Sequence, residues 1–187
     1  MSGFTLAVFY WSALYWSAAA GLIVVHEAGH YLAGRLAGVP AHAARIRLLA
    51  LPQHVALKDD GGWISPLSYE RYVAAAERYL PTPGRAFAFV AGGPVFETAA
   101  AAASCVAAIT LGHPLIAFVI ATAALGLHIV YVLVFDLALT WRHGAPAGDT
   151  AVMWTISRAG ALAVAVGVVV AQAGLVWVSW AALRGAT

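Results

Sequence analysis

Two histidines and a glutamate sit in the run LIVVHEAGHYLAGRL, Leu22 to Leu36, whose other side chains are mostly apolar or small. His26 and His30 are four residues apart, so on a helix both imidazoles project from one face. Two imidazoles so placed can chelate one Zn²⁺, and Glu27 beside them can hold a water and take its proton. The plainer reading makes these three residues helix-end groups that face a wet cavity. Their surroundings favour the metal. An ionisable side chain inside a membrane span costs about 3 kcal/mol on insertion scales, so three together need a compensating partner. A catalytic zinc site also needs a third protein ligand, with one coordination position left open.

The elements that must position these residues follow from composition. The chain has 187 residues, of which 63% are hydrophobic and 10% charged, and its mean hydropathy is +0.84. That is too few charges for an ordinary soluble domain. The expected class is an all-α polytopic membrane protein, with about four transmembrane helices and a small cytoplasmic β-ribbon between the first two. Apolar runs at about 4–36, 86–111, 115–139 and 159–183 each reach the roughly 20 residues needed to cross a bilayer. Residues 1–187 are read as a single membrane-embedded domain. The first run lacks a basic leading region and passes straight into HEAGH, so it reads as a span and not as a removable signal.

With the N-terminus outside, Arg35, Arg45, Arg47, Lys58, Arg71, Arg78, Arg85, Arg142 and Arg158 fall on the cytoplasmic side, and Arg184 alone lies outside. By the positive-inside rule both termini are then outside and the histidines lie near the cytoplasmic face. A bacterial plasma membrane is the expected location. The net charge of +2 follows from that asymmetry and gives no reason to expect a nucleic-acid partner. A single cysteine, Cys105, excludes an intramolecular disulfide.

The first helix should stop at Gly38 and Pro40. Between there and the second span, RIRLLAL and HVALK read as short strands and DDGG as a turn. An exposed edge of that ribbon could take an extended peptide as an added strand. SYERYVAAAERYL has the spacing of an interfacial helix, so ribbon and helix together occupy residues 43–80. Glu97 and His128 fall at similar mid-membrane depth and are expected to bond to each other. His42, His54, His113 and His143 read as solvated residues in loops or at span ends.

HEAGH at the end of a first core helix resembles the site-2 protease family of intramembrane zinc metalloproteases. AGGPVFE, Ala91 to Glu97, resembles that family's Gly-Pro-x-x-Asn motif, with Glu97 where the family has asparagine. VLVFDLALTWRHGAPAGDTAVMW resembles the family's Asn-x-x-Pro stretch followed by the Asp-Gly that supplies the last metal ligand, with the Asn and Pro lost and Asp149-Thr150 in place of Asp-Gly. The resemblance covers roughly Val8 to Trp154. It implies Asp149 as third ligand, or in another register Asp136, with His128 then in the asparagine's place. Glu97 and His128 become candidates for positioning substrate.

What the resemblance implies is hydrolysis of a peptide bond in or near a transmembrane segment of a membrane-protein substrate. His26, His30 and an aspartate would hold Zn²⁺, and Glu27 would be the catalytic base. A transmembrane substrate helix would have to unwind locally first, because its carbonyls are otherwise engaged. The lipid bilayer is the other expected partner, together with a regulatory membrane protein. The degenerate motifs leave an alternative, an impaired pseudoprotease that acts by binding membrane proteins. A small transporter using Glu97, His128 and Asp136 is the third reading, although no repeated halves are visible.

Overall fold

The computed structural model describes residues 3–146 and 148–186, with the side chains of Gly3, Leu133, Phe135 and His143 outside that description. The chain is mainly helical. α1 (Gly3–Ala37) leads through a 3₁₀ turn (Ala41–Ala43) to strands β1 (Ala44–Arg47), β2 (His54–Asp59) and β3 (Gly62–Ile64). Then come α2 (Tyr69–Tyr79), α3 (Pro83–Thr110) and α4 (Pro114–Val130). A π-helical stretch (Tyr131–Leu139) continues α4 into α5 (Thr140–His143), and α6 (Asp149–Ile156) and α7 (Arg158–Gly185) complete the chain.

α1, α3 and α7 are long and apolar enough to cross a membrane. Phe4, Phe9, Trp16, Val170 and Trp177 stand exposed on α1 and α7, an apolar surface that suits lipid and not water. The expected third span differs from the other three. Its regular α-helix is only 17 residues long, and the remainder, YVLVFDLAL, is wound as a π-helix. The helical run is nevertheless unbroken, since Tyr131 and Thr140 both keep right-handed helical backbone at the junctions. Ala117, Ala121 and Ala124 lie at helical spacing on α4 and are fully buried, which lets its backbone come close to its neighbours.

α1 ends where the sequence leads one to expect. Gly38 has φ of +116°, a conformation that a side chain would oppose, and Gly38 and Val39 donate back to the Gly34 carbonyl. The ribbon holds three strands where the sequence reading gave two. β1 pairs antiparallel with β2, placing Ala44 opposite Leu57 and Arg47 opposite His54. β3 pairs with β2 only over Leu57–Asp59. DDGG is the turn between β2 and β3, and the short GWI strand after it is the addition. Val39, Val55, Leu57, Ile64, Ala75, Leu80 and Phe89 form one core that joins the sheet and α2 to the end of α1 and the start of α3.

Candidate metal centre

The site starts from a close helix crossing. A Cβ built on Gly29 of α1 would strike the Gly92 carbonyl oxygen and lie 2.7 Å from Phe96 Cβ, and one on Gly92 of α3 would lie 2.7 Å from the Gly29 carbonyl oxygen. The two backbones therefore touch, and Gly93 faces the HEAGH turn. A Cβ there would strike His30 Nε2 and lie 2.7 Å from His26 Nε2. The AGGP stretch is thus the cradle into which both imidazoles fit.

α3 also anchors both rings by their Nδ1 atoms. His26 Nδ1 lies 2.8 Å from Glu97 Oε2, and His30 Nδ1 donates to the Phe89 carbonyl at 3.0 Å. Pro94, inside α3, lacks the N–H that would bond the Val90 carbonyl, in the turn that also presents Phe89. With the Nδ1 hydrogens committed, both Nε2 atoms are acceptors in the neutral rings. They lie 3.1 Å apart, and Asp149 Oδ2 lies 2.9 Å from His26 Nε2 and 3.2 Å from His30 Nε2. In the neutral rings three lone-pair atoms thus converge, an arrangement that a divalent cation satisfies. Ligand atoms at 2.0–2.2 Å from a tetrahedral metal lie about 3.3–3.6 Å apart, so the observed spacings need to widen by only a few tenths of an ångström to take one. Among the described residues, His26, His30 and Asp149 form a group able to hold a metal ion.

Asp149 reaches the histidines as the first residue of α6. Asp136 stays outside this cluster. Its Oδ2 accepts from Thr150 N at 3.0 Å, so it caps the α6 N-terminus from the π-helical stretch and steadies Asp149 next door. Gly148 makes room for that carboxylate, because a Cβ there would strike Asp136 Oδ1.

Glu27 is 3% exposed, and its Oε2 has no hydrogen-bond partner among the described residues. It opens, with His26, His30 and Asp149, into a cavity of about 330 Å³. The roof is α2 and the sheet: Tyr69, Tyr72 and Ala76 on one side, His54 and Val55 on the other. β2 has no β3 partner at His54–Ala56, and there Tyr72 OH donates to the Val55 carbonyl at 2.8 Å. Burial pushes the Tyr72 hydroxyl above its ordinary range, so it stays a donor. Arg71 and Arg78 tie α2 to Asp59 and Asp60.

The expected Glu97–His128 bond is not formed, because Glu97 turns to His26. His128 is buried, with its Nε2 unpartnered among the described residues. The sequence reading missed Phe89, whose contribution is a backbone carbonyl, and Tyr131, whose ring lies 5.3 Å from that of His26. It also gave His54 only a solvated role, whereas His54 lines the cavity. Only the small-residue run around Gly93 carried a signal in its residue types. No family model, no curated protein and no solved structure matches this chain.

Proposed function

We propose that the chain is an intramembrane zinc metalloprotease that cleaves a membrane-protein substrate in or near a transmembrane segment, as its resemblance to the site-2 protease family implies. One observation carries the reading: His26 Nε2, His30 Nε2 and Asp149 Oδ2 converge within 3.2 Å of one another, beside the unpartnered Glu27 Oε2, at the floor of a cavity. In this reading α4 and the π-helical stretch supply a fourth span, both termini lie outside, and the cavity faces the cytoplasmic side of the bilayer.

When bound, zinc supplies Lewis acidity, which polarises a carbonyl and makes a water a stronger acid. Glu27 takes the proton of the attacking water at its free Oε2 and hands it to the leaving amine. An unwound substrate segment lies in the cavity, where the β3-side edge of β2 at His54–Ala56 can receive it once Tyr72 releases the Val55 carbonyl.

The test is zinc per chain in detergent-purified protein, with cleavage of a reconstituted transmembrane reporter. We expect near-stoichiometric zinc that falls far more with Asp149→Ala than with Asp136→Ala, and cleavage that Glu27→Gln abolishes. Little zinc in wild type after chelator-free purification and zinc resupply overturns the reading. Stoichiometric zinc with reporter lengths unaltered by Glu27→Gln replaces it with the binding-protein alternative.

A further inference from the structure

Glu97 stands where the family resemblance implies a residue that positions substrate, yet its geometry points elsewhere. It is 4% exposed and lies one helical turn beyond Gly93 on α3. Its Oε2 is 2.8 Å from His26 Nδ1. We propose that Glu97 is a positioning residue of the metal centre that fixes the tautomer and ring plane of His26, and that His128 steadies Glu97 at its other carboxylate oxygen. The proposal rests on the metal centre of the preceding reading but not on its peptide chemistry.

Three observations support it. A carboxylate only accepts, so the Nδ1 atom of His26 keeps its hydrogen and Nε2 presents a lone pair toward Asp149 and His30. His30 receives the same service from a neutral group, the Phe89 carbonyl. The two imidazoles are therefore unequal ligands, and His26, backed by a charge, is the more basic. Finally, both residues hold a buried atom without a partner among the described residues, Oε1 on Glu97 and Nε2 on His128. One is an acceptor and the other a donor or acceptor according to tautomer. His128 is 8% exposed and lies within electrostatic reach of the Glu97 carboxylate. The two atoms do not bond directly, and one water between them would satisfy both. The chain then runs His128–Glu97–His26 to the metal, and Glu97 leaves no oxygen for substrate.

The experiment measures the zinc Kd of the full chain in detergent by competition with a chromophoric chelator, and the visible spectrum of the Co²⁺-loaded protein. Glu97→Ala is expected to weaken zinc by about 10- to 100-fold and to shift the Co²⁺ bands. Glu97→Gln, whose amide oxygen still accepts from Nδ1, recovers part of that loss and carries the test if the alanine variant does not fold. His128→Ala weakens zinc less, and adds nothing once Glu97 is alanine.

Zinc affinity of Glu97→Ala within about twofold of wild type, with unmoved Co²⁺ bands, overturns the proposal and leaves the metal centre standing. An equal His128→Ala effect with and without Glu97 overturns the His128 link. A wild type that binds no zinc, or a His26→Ala variant that binds as well as wild type, overturns the centre itself and this proposal with it.

Discussion

At the floor of the cavity α1 and α3 meet backbone to backbone, with Gly29 and Gly92 leaving no room for a side chain between them. At the roof, α2 packs on the sheet through Ala75 and Leu80, and polar groups at its exposed face add further ties to the β2–β3 hairpin. Arg71 Nε donates to Asp59 Oδ2 at 3.0 Å, Arg78 Nη1 to Asp60 Oδ1 at 3.0 Å, and Tyr79 OH to the Lys58 carbonyl at 3.0 Å. The floor is fixed by sterics, which neither salt nor pH relaxes. The roof adds to its apolar core a set of solvent-exposed ion pairs, which are individually weak and screened. The difference teaches how the two sides of one cavity can be held: the candidate metal ligands sit on the sterically fixed side, and the screened ties sit on the other.

The most severe way to break this contrast is a single methyl at the floor. Gly93→Ala places a Cβ against both Nε2 atoms, and neither ring can retreat because each is pinned at Nδ1. We expect a loss of about 1–3 kcal/mol of stability, as for other overpacked sites, together with loss of most bound zinc. Thermal unfolding and metal analysis on one preparation check both, and a variant that keeps wild-type zinc would show the crossing to be softer than described. A milder perturbation is Asp136→Ala, which removes the cap from α6. About 1 kcal/mol is expected, with faster amide exchange at Thr150 and its neighbours and only a partial drop in zinc.

The smallest effect belongs to the roof. Hydrogen bonding from Arg71 and Arg78 holds the Asp59 and Asp60 carboxyls below their usual range. A depressed folded-state value means that the tether is fully present above the ordinary carboxylate pKa of about 4 and is lost as pH falls through the lower value. Wild type should therefore lose more Tm between about pH 6 and pH 3 than Asp59→Asn/Asp60→Asn, by less than the Asp136→Ala effect at neutral pH. Equal slopes would mean that the buried core around Leu57 and Ala75 alone carries the roof.

Much of this was legible in the sequence. The i, i+4 spacing puts His26 and His30 on one face whatever the tertiary fold, and Gly38 marks the helix end because few residues tolerate its φ. The DDGG turn and the tyrosine spacing of α2 are equally local signals. Depth along a span could also be counted, which is why Glu97 and His128 were expected to meet. Azimuth could not be counted. Which face of α3 turns to α1 is set by the Gly29–Gly92 contact, a pairing between residues more than sixty apart in the chain, and it carries Glu97 to His26. The π-helical stretch escaped for a related reason, since YVLVFDLAL has no residue type that forbids an α-helix. β3 is only three residues long, too short for alternation to show.

The two imidazoles also differ in what mutation can reach. The partner of His26 is a side chain, so a change at position 97 removes or displaces the group behind that ring. The partner of His30 is the carbonyl of Phe89, which every amino acid at that position would supply. Half of the support around the centre is therefore written in the backbone and is insensitive to the coding sequence at its own position. The other half is open to variation, so divergence in the chemistry of this centre would enter through residue 97 and spare residue 89.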